Sequence, residues 1–186
     1  MATLFLILFR ICRFHAGPEV LPASNTLLGV IMLVNGLVSW TAAMILAQLI
    51  TLPEDAADQF SEADLAAMTN AGLLFTRVVV NLAATAALSW GLLALTGLNA
   101  RLTQTLTAIF GTDIILTILT LAALVVSSSL PMVIGQMATI GMLFWNIAVL
   151  GFIYHRAMDI SMGLGVAAGL FVLVFTLAIG AVAVGG

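Results

Sequence analysis

The chain has no lysine, and its five basic residues, all arginine, are scattered over 186 positions without forming a run. A surface able to neutralise successive phosphates is therefore missing, which excludes nucleic acid as a partner. A single cysteine, Cys12, rules out an internal disulfide. With only His15 within a helical turn it has no ligand set for a metal, and it reads as a thiol on an apolar face. Charged residues make up 7% of the sequence, against roughly 25% for a soluble domain. The longest polar stretch, Pro53 to Asn70, is too short to bury a core of its own. Nothing in the sequence forms a catalytic signature.

What the chain has in excess is apolar length. Hydrophobic residues make up 63% of it, and five runs approach or exceed the ~20 residues needed to cross a ~30 Å hydrocarbon core. These are Thr26 to Leu52, Ala71 to Thr96, Thr112 to Leu130, Met132 to Ile153 and Ile160 to Val184. Lipid offers backbone groups no hydrogen-bond partner, so each run is expected to be a helix. The fold class is all-α: a polytopic bundle of five transmembrane helices over 26–186, preceded over 1–25 by a short interfacial helix and a Pro-rich entry. Arg10 and Arg13 follow the apolar run Met1 to Phe9 instead of preceding it, the reverse of a signal peptide. The expected arrangement is a helix in the interface with Leu4, Ile7, Leu8 and Ile11 in the acyl boundary, a tilt into the bundle being the alternative. Gly17, Pro18 and Pro22 break the chain, and Ser24 or Asn25 is placed to cap the first span.

Arginines collect on the cytoplasmic side of a membrane protein. Arg10 and Arg13 precede the first span, Arg101 lies between the second and third, and Arg156 lies between the fourth and fifth. Between the first and second spans are Glu54, Asp55, Asp58, Glu62 and Asp64 with no basic residue. An N-inside, C-outside orientation satisfies every loop. Lysine-free, alanine- and leucine-rich usage suggests a bacterial inner (cytoplasmic) membrane. On the outward side, Ser61-Glu62-Ala63-Asp64 has the spacing of a capping box and predicts a short helix leading into the second span. The acidic cluster lacks the alternating oxygen ligands and glycine turn of a calcium loop and reads as solvated.

Polar residues inside the spans carry the functional argument. Arg77 is early in the second span, about 9 Å deep at ~1.5 Å per residue. Its guanidinium either snorkels outward or pairs with Asp64 or the carboxylate at Gly186. Asn35, Asn81, Gln136 and Asn146 are amides at depth, most often used to bridge helices. With Asp113 at the start of the third span, no carboxylate is expected at mid-membrane, and ion-coupled transport is not expected. Arg101, Asp113, His155, Arg156 and Asp159 are expected to meet at the cytoplasmic boundary as a charge network. There Asp113 suits a helix N-terminus and Arg156 a C-terminus, while one histidine beside one arginine lacks the convergent groups of a metal or acid-base site. In the last span Gly163, Gly165, Ala167 and Gly169 form small-xxx-small patterns, including Gly165-x-x-x-Gly169. They imply close helix contact, within the bundle or across a dimer seam. Leu170 to Val184 is expected to face lipid or an apolar partner and to line no aqueous path.

The stretch Thr103-Gln104-Thr105-Leu106-Thr107-Ala108-Ile109-Phe110-Gly111-Thr112-Asp113 leads into a span. Phe144-Trp145-Asn146 and Gly151-Phe152-Ile153-Tyr154-His155-Arg156-Ala157-Met158 then lead into a last glycine-rich one. Together these resemble a bacterial Yip1-type membrane protein, mainly over 71–186. The resemblance implies a five-span, N-inside fold and a non-catalytic role. Eukaryotic members of that family engage small GTPases and coat or tether factors through a long cytoplasmic N-terminal region, which has no counterpart in these residues, so that partnership does not carry over. The leading expectation is a non-enzymatic scaffold or accessory subunit with no cofactor, no metal and no catalytic residue. Its partners are membrane lipids and another integral membrane protein or complex. The alternative is a small-molecule or lipid transporter, as a homodimer, which would need a cavity among Asn35, Arg77, Asn81, Gln136 and Asn146. A lipid-modifying enzyme would instead need groups such as His155 with Asp113 or Asp159 to converge.

Overall fold

The computed structural model describes residues 2–49, 70–127 and 132–185. Six α-helices follow one another among them: α1 (Ala2–Cys12), α2 (Asn25–Leu49), α3 (Ala71–Leu95), α4 (Leu102–Ser127), α5 (Met132–Met158) and α6 (Met162–Gly185). Short 3-10 turns occupy Pro18–Val20 and Asn99–Arg101. Helices α2 to α6 are each long and apolar enough to cross a membrane, so the protein is a multi-pass membrane protein. The acidic stretch with its capping box, the 128–131 connection and Gly186 lie outside the described residues.

Local signals set most helix ends. Ser24 accepts from the Leu27 N–H at 3.3 Å and so caps α2. Asn70 caps α3 by accepting from the N–H groups of Gly72 and Leu73 at 2.9 and 3.2 Å. At the opposite end of α3, Gly97 adopts φ +74°, and the Leu98 N–H returns to the Leu93 carbonyl, a six-to-one closure that satisfies the terminal carbonyls. Helices α1 and α5 stop by the same device with Phe14 at φ 61° and Asp159 at φ 53° in the glycine's place.

Each spanning helix touches two principal neighbours: α4 lies between α2 and α5, α6 lies between α5 and α3, and α3 returns to α2. The five form a closed ring. Its tightest seam joins α5 to α6, where a Cβ at Gly165 would come within 2.7 Å of the His155 backbone nitrogen and one at Gly169 within 3.1 Å of the Gly151 nitrogen. The small-residue pattern thus serves a contact inside the bundle, where it lets two backbones approach.

Helix α4 starts at Leu102, ten residues before the expected start of the third span at Thr112. The threonines that read as a polar connection are helical because they need no water. Thr105 and Thr107 donate to the carbonyls of Arg101 and Thr103 at 2.8 and 2.6 Å, and both are buried. The N-terminal helix is present, but Leu8 and Ile11 are buried against the bundle and not turned to lipid. Leu8 lies over Gly111, where a Cβ would come within 2.6 Å of the leucine side chain. Phe5, Leu6 and Phe9 form the exposed face of α1. This corresponds to the tilted alternative, in which the leucine face gains protein contacts and the phenylalanines take the lipid.

Candidate functional site

The ring borders a half-open cavity of about 210 Å³ to which all five spanning helices contribute. Its most consequential lining residue is Asp113, eleven residues after the start of the 26-residue α4. At ~1.5 Å per residue its backbone is roughly 17 Å along the helix, near the middle of the membrane. This corrects the expectation of a boundary carboxylate, and with it the statement that none lies at mid-membrane. The early start of α4 is the reason.

The Asp113 carboxylate is held from α2. Asn35, fully buried, donates through Nδ2 to Asp113 Oδ2 at 2.8 Å and to the Phe110 carbonyl at 3.0 Å. An aspartate at the centre of a spanning helix costs about 2.5–3.5 kcal/mol on insertion scales. A hydrogen bond to a charged group returns about 1.5–3 kcal/mol. The pair therefore roughly offsets the cost and adds little stability, so its value lies in the chemistry of the cavity.

Opposite α4, α3 contributes Asn81, whose buried Oδ1 has no hydrogen-bond donor among the described residues. This oxygen abuts Gly180 of α6, where any Cβ would collide with it. Asn146 of α5 also lines the cavity. Thr85 of α3 and Thr176 of α6 meet at 3.3 Å across the wall. One turn further along α3, fully buried Ser89 meets the fully buried Tyr154 hydroxyl at 2.6 Å. This pair lies beyond the cavity toward the end of the bundle that carries Arg101. Ser39 and Thr112 add hydroxyls, and the rest of the wall is apolar, with Leu82, Ile109, Leu116, Val149 and Leu173 prominent. Val172, Leu173, Thr176 and Leu177 border the cavity too, so Leu170 to Val184 does not face only lipid or an apolar partner, contrary to the expectation from the sequence.

The expected charge network is only partly assembled. Arg101 pairs with Asp159 at 2.7 Å and donates to the Ala157 carbonyl at 3.2 Å, closing the C-terminus of α5. Arg156 pairs instead with Glu19, a partner the sequence reading did not name. His155 contacts the Ile160 carbonyl through Nδ1. Asp113 belongs to none of these contacts. Arg77 is exposed on α3 and does not line the cavity, and both of its suggested partners lie outside the described residues. Gln136 is likewise exposed. Gly165 and Gly169 hold α6 to α5 and take no part in the cavity lining. Ser39, Thr85 and Thr176 also escaped the sequence reading. Their signal was positional, since each falls near the middle of its span.

Compared with family models, curated proteins and solved structures, the chain has no match.

Proposed function

We propose that the protein carries a small polar solute across the membrane through its central cavity, without enzymatic chemistry. The observation that supports this reading is Asp113: a carboxylate at mid-membrane, bordering a cavity, that contributes little to stability. An intramembrane ionisable side chain of this kind marks a solute or proton path in membrane bundles. Convergence of five helices on one midplane site, with amides and hydroxyls from several of them, also suits a carrier. The chain is read as N-inside in a bacterial inner membrane, on its arginine distribution and composition. Kinship with Yip1-type proteins belongs to the proposal as well and bears only on the fold. The scaffold or accessory-subunit reading is second, because the apolar outer faces on which it draws are covered equally well by lipid.

Cysteine accessibility tests transport directly. In a Cys12→Ser background, Ser39→Cys and Thr176→Cys are each exposed to a small membrane-impermeant thiol reagent in sealed vesicles of either orientation. The lipid-facing control is Val79→Cys. Cavity cysteines reacting from both sides, with the control silent, is the expected result. Reaction from one side alone or from neither overturns the carrier reading.

A further inference from the structure

The cavity has a chemical sign. The chain contains no lysine, and among the described residues no arginine or histidine lines the cavity. Its strongest polar groups are acceptors. Asp113 has one described side-chain donor, Asn35, on Oδ2, and Asn81 Oδ1 has none among the described residues. Asp113 lines the space from α4, while Asn81 Oδ1 is buried against Gly180. Among the described residues no cationic side chain lines the cavity to satisfy an anionic solute, so an anion here would meet the acceptor oxygens of Asp113 without one.

We infer that the solute is a small organic amine in its protonated form, its ammonium group held by Asp113 and its carbon skeleton by the apolar wall. This rests on the transport reading above. An ammonium group carries three N–H donors and matches a carboxyl acceptor of high field. Bare metal cations demand more: Ca²⁺ takes 6–8 oxygens and Mg²⁺ a near-ideal octahedron, and most of this wall is carbon. A hydrated ion would leave Leu82, Ile109, Leu116 and Val149 unused, whereas a short alkyl chain buries against them at ~0.8 kcal/mol per CH₂. At about 210 Å³ the cavity is smaller than the ~300 Å³ at which drug-sized pockets begin, so the amine is a small one.

Modification of Ser39→Cys in the Cys12→Ser protein reads occupancy, because Ser39 is one turn along α2 from Asn35 and lines the same space. The probes are n-butylammonium, the uncharged isostere 1-butanol, and potassium ion. Butylammonium is expected to slow modification in a saturable way, and the other two at equal concentration are not. Asp113→Asn, which keeps size and polarity, should raise the concentration for half-protection by about 10- to 100-fold, the range for loss of a charge-assisted hydrogen bond. Protection by 1-butanol equal to that by butylammonium, by potassium alone, or by none of the three overturns the amine assignment and leaves the carrier standing. No modification under any condition overturns both. If Asp113→Asn does not fold, the comparison of amine with alcohol in the protein that keeps Asp113 decides the matter by itself.

Discussion

The hydroxyls of Ser89 and Tyr154 bond to each other at 2.6 Å between α3 and α5, both fully buried. Tyr154→Phe keeps the ring and removes one partner. In a soluble core an orphaned hydroxyl costs about 1–3 kcal/mol, but within spanning helices such bonds average about 0.6 kcal/mol, because the reference state also finds partners. Ser89 has a further escape, since a helical serine can donate to the carbonyl four residues back. The smaller figure therefore governs, and thermal unfolding in detergent should show Tyr154→Phe lowered by only a few degrees. Cys12 gives a residue-scale prediction of opposite character. Burial on α1 pushes its thiol from an ordinary 9.0 up to about 11, because the thiolate loses its hydration. Alkylation of the folded protein by a maleimide should therefore climb about tenfold per pH unit between 8 and 10 without levelling, whereas the unfolded chain levels near its ordinary value. The linked stability is fully present below about pH 9 and declines as pH rises toward about 11, since the unfolded chain releases the proton first. A plateau near pH 9 in the folded protein would show that the thiol is not buried.

Helix α6 meets its neighbours through a stripe of small residues, and Gly165 is the sharpest point of that contact. Gly165→Leu would drive carbon into the Gly151 carbonyl and the His155 backbone. Neither can give way without separating α5 from α6, so a loss well above the 1–3 kcal/mol of ordinary overpacking is expected. Gly163→Leu, two residues away, meets nothing within 4 Å and should be neutral in the same thermal assay. An equal effect of the two would remove the seam from α5 and α6. The existence of this contact was readable from Gly165-x-x-x-Gly169, because backbone approach requires small residues at that spacing. The five spans were readable for an equally physical reason, since lipid forces every apolar run of that length to be helical. The start of α4 was not. Hydropathy treats Thr103, Thr105 and Thr107 as polar, but within a helix each hydroxyl has a carbonyl in reach four residues back, and two of the three use it. That one boundary moved Asp113 from the membrane edge to its centre, so the site was misplaced although its residue had been singled out. Asn35 and Asn81 were named as helix bridges, and Asn35 does bridge α2 to α4. Their convergence on one cavity depends on ring closure, which no local pattern encodes.

At the scale of the molecule, the odd number of crossings gives the two ends of the bundle different chemistry. One end gathers α1, the Gly97 to Arg101 turn and the junction of α5 with α6. There Arg101 pairs with Asp159 and Arg156 with Glu19. These side chains are roughly half exposed, so each pair is worth about 0–1 kcal/mol and does not decide the fold. Their arginines matter instead for insertion, where positive charge is retained on the cytoplasmic side and acidic residues count for little. The opposite end is approached in sequence by the acidic stretch 53–70, which has no basic residue. If the arginines set orientation, Ala100→Cys in the Cys12→Ser background should react with an impermeant thiol reagent only in inside-out vesicles, and Asp58→Cys only in right-side-out ones. Replacing Arg101 and Arg156 by glutamine should then weaken the bias and give a mixed population, whereas replacing Asp58 and Asp64 by asparagine should leave it unchanged. The reverse pattern would mean that the acidic stretch governs insertion. It would also exchange the sides assigned to the Ser89–Tyr154 pair, which lies between the cavity and the Arg101 end, so that this buried bond would be on the outer rather than the inner side of the cavity.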